Sequence, residues 1–192
     1  FRPAQVEHTD GMVVVGWAGS NTHGVDLKEA WEVLPGILKN EKVRMEFVGG
    51  TAAPGLAGHK RVLVRTWVPV GEFSARFASW SWDIAMAPLE DNRFNRSKSC
   101  IKMLEAAALS IPCLASRVRP YEEFCALGGP ELEWLLCSNA REWREKLTRL
   151  IEDEDHRKKM GELVHRTARA WFDIEKIIDN WDYVFEKMGA ME

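Results

Sequence analysis

Cysteine is scarce in this 192-residue chain and never closely paired: Cys100, Cys113, Cys125 and Cys137 stand apart in apolar segments. Without a C-x-x-C spacing neither a zinc site nor a disulfide framework is indicated, and a reducing compartment suits them. A basic excess is missing too. The 26 Lys and Arg face 29 Asp and Glu for a net charge of −3, so no basic stripe awaits a polyanion and nucleic acid is not an expected partner. No apolar run approaches the roughly 20 residues a transmembrane span requires, and the first residues lack the charged-then-apolar pattern of a signal peptide. Repeats and low-complexity tracts are absent as well. The chain has no initiator Met, and its first eleven residues, FRPAQVEHTDG, are polar and turn-rich. They read as the interior of a longer parent protein.

What is present is an ordinary globular composition, 46% hydrophobic and 29% charged, enough for one domain with a sizeable core. The run MVVVGW, residues 12–17, is a β-branched strand that stops in the loop AGSNTHG, and residues 25–40 have helical spacing at Leu27, Ala30, Trp31 and Leu34. VRMEFVGG, RVLVRTWVP, DIAMAPL, IPCLAS and ELEWLLC read as further strands. Helical spacing separates them, with Phe73, Phe77 and Trp80 in one segment, YEEFCALG in another and charged helices over 139–169. EDEDHRKK, residues 152–159, reads as a solvated junction. Strands alternating with helices, none with a polar side for water, imply a Rossmann-like doubly wound parallel sheet of the α/β class. Ligands of such sheets sit beyond the carboxyl ends of the strands. That edge comprises AGSNTHG (with Gly19, Ser20, Thr22 and His23) and Gly16 just before it, the turn TWVP (Trp67, Val68), and the segment 88–99.

The stretch FNRSKSCIKMLEAAALSIPCLAS, residues 94–116, runs from cations and hydroxyls into an apolar helix with a single acid, Glu105. Ser97 or Ser99 is a cap for that helix, whose first amides favour an anion, and Lys98 reinforces the field. Spacing of seven and three residues allows Lys98, Lys102 and Glu105 to share a face. Glu105 is then either a surface ion-pair partner of Lys102 or a carboxylate poised for vicinal hydroxyls; an acid hemmed by alanines and leucines needs a partner to offset its desolvation. The final segment places Trp171, Ile174, Ile178, Trp181 and Phe185 on one amphipathic stripe.

Three passages resemble the nucleotide-sugar-binding C-terminal domain of GT-B glycosyltransferases, the group that includes glycosyltransferase family 4. They are VVVGWAGSNTHGVDLKEA, DIAMAPLEDNRFNRSKSCIKMLEAAALSIPCLAS and NAREWREKLTRLIEDEDHRKKMGELVHRTARAWF. The resemblance implies a single lobe of a GT-B enzyme: residues 1–11 as linker, 12–170 as the donor-binding domain and 171–192 as a helix that crosses back to the other lobe. With that lobe absent, part of the stripe is expected to be exposed or self-associated.

The implied activity is hexosyl-type transfer from a nucleotide diphosphate sugar to an acceptor held by the other lobe, with retention, without a metal or a cofactor. The expected compartment is the cytoplasm, with the whole protein free to sit peripherally on a membrane. The resemblance gives Glu105 the ribose hydroxyls and Lys98, with Ser99, the donor diphosphate, making Lys98 and Glu105 the catalytic candidates. Gly16, Gly19, Ser20, Thr22, His23, Trp67 and Val68 complete the donor site. Departures are visible. Ser97 stands where family 4 has a second acid, eight positions before Glu105; Trp17 and His23 stand where the donor loop has Arg and Lys. A degenerate nucleotide-binding or protein-interaction module, or the lobe of a nucleotide-sugar epimerase, is the alternative.

Overall fold

The computed structural model describes residues 8, 10–20, 25–50 and 52–189. Six strands, β1 (Val13–Ala18), β2 (Val43–Val48), β3 (Val62–Arg65), β4 (Ile84–Ala87), β5 (Cys113–Ser116) and β6 (Leu136–Cys137), form one sheet in the order β3-β2-β1-β4-β5-β6. Every pairing is parallel. Parallel neighbours must be joined by crossovers, and these cover both faces, which is why β1, β4 and β5 are buried along their whole length. The α/β, Rossmann-like expectation therefore holds.

The crossovers follow the sequence with two corrections. Residues 25–40 do not make one helix but two short ones, α1 (Lys28–Trp31) and α2 (Leu34–Ile37). Pro35 has no N–H to give the Trp31 carbonyl four residues back, and its ring collides with that turn, so the helix restarts. Nor is ELEWLLC a full strand. Pro130 sits in the first turn of α6 (Pro130–Glu133), with Glu131 and Glu133 beside the positive end of the helix, and only Leu136–Cys137 joins the sheet.

Helices α3 (Val70–Ser79), α5 (Arg119–Gly128), α7 (Ala140–Glu152) and α8 (Glu154–Trp171) stand where the periodicity places them, whereas α4 (Ile101–Ala107) begins later than expected and α9 (Ile174–Gly189) leaves Trp171 as the last residue of α8. The charged junction 152–159 is a helix break: Asp153 caps α8 by accepting from the His156 amide at 2.9 Å. All four cysteines are buried, and burial pushes the Cys125 thiol up to about 12, which favours the protonated form at neutral pH.

Packing explains two features of the centre. Helix α7 lies on α1 and α2 and on β5 and β6, burying Trp143, Leu147 and Leu150. Beneath α3, Phe73, Phe77, Trp80 and Trp82 form a chain of ring contacts with centroids 5.1–5.8 Å apart. Trp82 in turn donates its indole N–H to the buried Glu46 (3.2 Å), which Arg65 also holds at 3.1 and 3.2 Å. A buried carboxylate is tolerable only when so satisfied.

The apolar stripe at the carboxyl-terminal end behaves differently. Trp181 and Phe185 are 57% and 62% exposed, their tilted rings 6.1 Å apart, and Trp171, Ile174, Ile178 and Met188 are exposed with them. This is the exposed stripe the sequence leads one to expect. Among the described residues no helix is long and apolar enough to cross a membrane.

Gly16 fixes how closely the aromatic chain approaches the sheet, since a β-carbon there would lie 1.9 Å from the Trp82 ring. Gly16→Ala is expected to lower unfolding free energy by about 3 kcal/mol in urea titration. Gly36→Ala, in α2 with open space around it, is expected to be neutral or slightly stabilising.

Candidate functional site

In the observed strand order the chain changes direction between β1 and β4, which opens a crevice at their carboxyl ends. The loops around that crevice are tied together by side chains. Asp26, just beyond the β1 loop, accepts at one oxygen from the Glu90 amide (3.0 Å) and from the Asn95 side chain (2.9 Å), both after β4. Asn95 is buried and donates also to the Glu90 carbonyl, while its own amide reaches Asn92 at 2.8 Å. Ser116, ending β5, accepts from the Leu89 amide at 2.9 Å. On the other side, Gly49 at φ +114° sits where a β-carbon would be 1.8 Å from the Gly19 carbonyl oxygen, so the ends of β1 and β2 touch through glycine alone.

The candidate residues fall into four groups. Gly19 and Ser20 lie at the mouth of the crevice; Thr22 and His23 lie outside the described residues. Gly16 and Trp17 lie within β1, as the strand reading of MVVVGW has them; Trp17 is 4% exposed and packs on Phe47, so core packing accounts for it where the resemblance aligns it with a loop Arg. Trp67 stands 62% exposed in the turn after β3, with Val68 half-buried beside it.

The fourth group, Ser97 to Glu105, departs from the anticipated single helix. Asn95–Ser97 is a 3₁₀ turn, Lys98 is extended (φ −74°, ψ 166°), and α4 starts only at Ile101 behind Cys100, which makes no side-chain cap. Neither Ser97 nor Ser99 caps the helix, and Ser97 instead donates to the Arg93 carbonyl at 3.3 Å. The Ser-Lys-Ser run bonds more readily to nearby backbone than it enters a helix, which delays the start. Lys98 therefore does not share a helical face with Glu105. Its ammonium rests 5.0 Å from the Phe94 ring centroid, over a loop clamped by the Arg96–Asp91 pair. The Arg96 guanidinium holds the Asp91 carboxyl below its ordinary value.

Glu105 is in the second turn of α4. Its Oε2 accepts from Lys102 at 3.1 Å, and the carboxylate is 23% exposed. The same Lys102 ammonium lies 5.4 Å from the ring of Phe73 in the first turn of α3. The pair is thus a bridge between two helices that start at the carboxyl edge of the sheet, not a loose contact on an open face.

Sequence reasoning missed Asp26 and Asn95. The cluster E-D-N-R-F-N carried a signal, since Asn and Asp favour side-chain turns, but only the fold shows that Asp26 reaches it. A smaller cleft of about 220 Å³ lies at the same edge, among Asp26, Lys28, Glu90, Ser116 and Arg117. The larger open cleft, about 870 Å³, is at the opposite, amino edge. There His8 pairs with Asp83 at 3.1 Å and Arg157 donates to the Leu150 carbonyl at 2.7 Å, and burial raises the Asp83 carboxyl above its ordinary value. The charges of His8 and Asp83 are thus spent on each other and that of Arg157 on backbone carbonyls.

Removing the Asp26 carboxylate unties the Glu90 amide and the Asn95 side chain from the β1 loop. Asp26→Ala is expected to cost about 1 kcal/mol and to speed hydrogen exchange at Glu90, with Asp26→Asn retaining most of both because it keeps an acceptor.

No family model matches the chain, and no curated protein matches it in sequence. Solved structures do match in fold. The TarM G117R mutant of S. aureus, in a complex that includes UDP, is 15% identical with a TM-score of 0.66, over 95% of this chain and 37% of that one. Alr3699/HepE of Anabaena, in complex with UDP and glucose, is 13% identical with a TM-score of 0.70, over 92% and 49%. The C-terminal domain of LpcC, a glycosyl transferase group 1 family protein of Francisella tularensis, is 15% identical with a TM-score of 0.62, over 84% and 87%. The chain thus spans 37% of TarM and most of a separate C-terminal domain. It has the fold of the C-terminal domain of a GT-B glycosyltransferase.

Proposed function

We propose that this chain is the donor-binding part of a glycosyltransferase that takes a sugar from a nucleotide diphosphate sugar. The observation that carries the reading is Glu105: a partly buried carboxylate on α4, with one oxygen engaged by Lys102, in a lobe whose fold neighbours hold UDP. A carboxylate has about four lone-pair sites, so one lysine contact leaves room for a vicinal diol. Ribose hydroxyls fit that demand, and Trp67 at the adjoining edge offers a flat apolar surface to the base.

In this reading Gly19 and Ser20 approach the donor from β1, with Thr22 and His23 following in the same loop, while Val68 flanks the base. Lys98 and the Ser99 amide face the diphosphate. Among the described residues the Lys98 ammonium rests on the Phe94 ring, so swinging to a phosphate exchanges a cation–π contact for a stronger charge-assisted bond. Catalysis is then electrostatic: the cation stabilises the departing diphosphate, with retention, and neither metal nor cofactor has an assigned role. The acceptor would be bound outside this chain, by a second lobe, and the whole enzyme would work in the cytoplasm or at its membrane face. A noncatalytic nucleotide-binding module is the second reading, and Ser97 in the place of the family's second acid favours it.

Titration calorimetry with UDP, UDP-glucose and UDP-N-acetylglucosamine tests the reading. Glu105→Gln is expected to weaken UDP by about 1.5–3 kcal/mol with the melting temperature unchanged. Unchanged affinity with a destabilised fold would make the acid structural. Separately, Lys98→Ala is expected to weaken UDP by about tenfold while leaving uridine unaffected, since only the diphosphate carries the charge it neutralises. Equal losses for both ligands would remove the phosphate role.

A further inference from the structure

We infer that Lys102 is a positioning residue for the donor site: it holds Glu105 in the one orientation that receives the ribose diol of a nucleoside diphosphate. The inference rests on the ribose reading of Glu105 given above. A lysine three residues from a glutamate on an open helix face contributes little, because both side chains wander and water screens them. This pair is built otherwise. The Lys102 ammonium is fixed from two directions, by Glu105 Oε2 at 3.1 Å on its own helix and by the Phe73 ring at 5.4 Å on α3. Phe73 is itself immobilised, stacked on Phe77 at 5.6 Å and edge-on to Trp80 at 5.8 Å. The ammonium is thus anchored to the core through an aromatic wall, and the carboxylate is anchored to the ammonium.

The geometry assigns different work to the two carboxylate oxygens. Oε2 takes the lysine; Oε1 accepts no hydrogen bond from the described residues. A glutamate that must be frozen at the moment of binding forfeits affinity to the lost freedom of its torsions, whereas one already frozen does not. A carboxylate bonds a hydroxyl more strongly than a neutral acceptor does. Lys102 touches no ligand in this account, and its effect reaches the ribose only through Glu105.

The test uses the full chain, UDP and 2′,3′-dideoxy-UDP, with affinities from calorimetry and folding from thermal melts. The wild type is expected to prefer UDP by at least about tenfold. Lys102→Met keeps the stem over Phe73 but not the charge. It is expected to melt like the wild type, to weaken UDP about tenfold, and to leave dideoxy-UDP unchanged, with Lys102→Arg recovering most of the loss. A Lys102→Met protein that keeps the wild-type preference, or weakens both ligands equally, overturns the positioning role. Glu105→Gln separates the two levels of the argument. If it collapses the preference while Lys102→Met does not, Lys102 alone is wrong; if it too leaves the preference intact, or the wild type shows none, the ribose reading falls and Lys102 with it.

Discussion

Asp26 accepting from both the Glu90 amide and the Asn95 side chain is the contact on which the carboxyl edge depends. A parallel sheet that changes winding direction leaves a gap where neighbouring crossovers depart to opposite faces. Unless something crosses that gap, the loops on its two sides are set independently. Here a single carboxylate spans it, and the buried Asn95 and the hydroxyl of Ser116 extend the tie to the ends of β4 and β5. The 3₁₀ turn and the Phe94–Lys98 contact lie in the loop so pinned, just ahead of α4.

A second layer of order comes from the aromatic chain under α3. Trp82 reaches the sheet because Gly16 has no side chain, and Phe73 reaches Lys102 because the rings behind it fill the space. The polar members at either end, Glu46 with Arg65 and Glu105 with Lys102, are each partnered. Glu46 is fully buried with three donors and reads as structural, whereas Glu105 is part-exposed with one. Spare accepting capacity, rather than the presence of a carboxylate, separates a candidate binding group from a scaffold group.

Much of this was legible in the sequence. The first five strands declared themselves because they are short, rich in β-branched or apolar residues and lie near glycine or proline, and their alternation with helices dictated a parallel sheet. Where the reading failed, a local breaker outweighed a periodic pattern: Pro35 split one helix, Pro130 turned an apolar run into a helical turn, and the Ser-Lys-Ser run delayed α4. Lys98 and Glu105 could not be placed relative to each other for that reason, since seven residues make two turns only if all are helical. The first strand, read as ending at Trp17, runs one residue further to Ala18, since spacing alone does not tell the last residue of a strand from the first of a loop. Asp26 and Asn95 escaped because a bond between residues 69 apart leaves no local trace.

The central claim is that a nucleoside diphosphate lies at the carboxyl edge of this sheet with its ribose on Glu105. A crystal structure of the chain with UDP tests it most directly. The account predicts ligand density beyond β1 and β4, the ribose hydroxyls within hydrogen-bond distance of the Glu105 carboxylate and the diphosphate beside Lys98. Density in the amino-edge cleft between His8 and Arg157, or a carboxyl-edge pose in which Glu105 bonds only to Lys102, would contradict it.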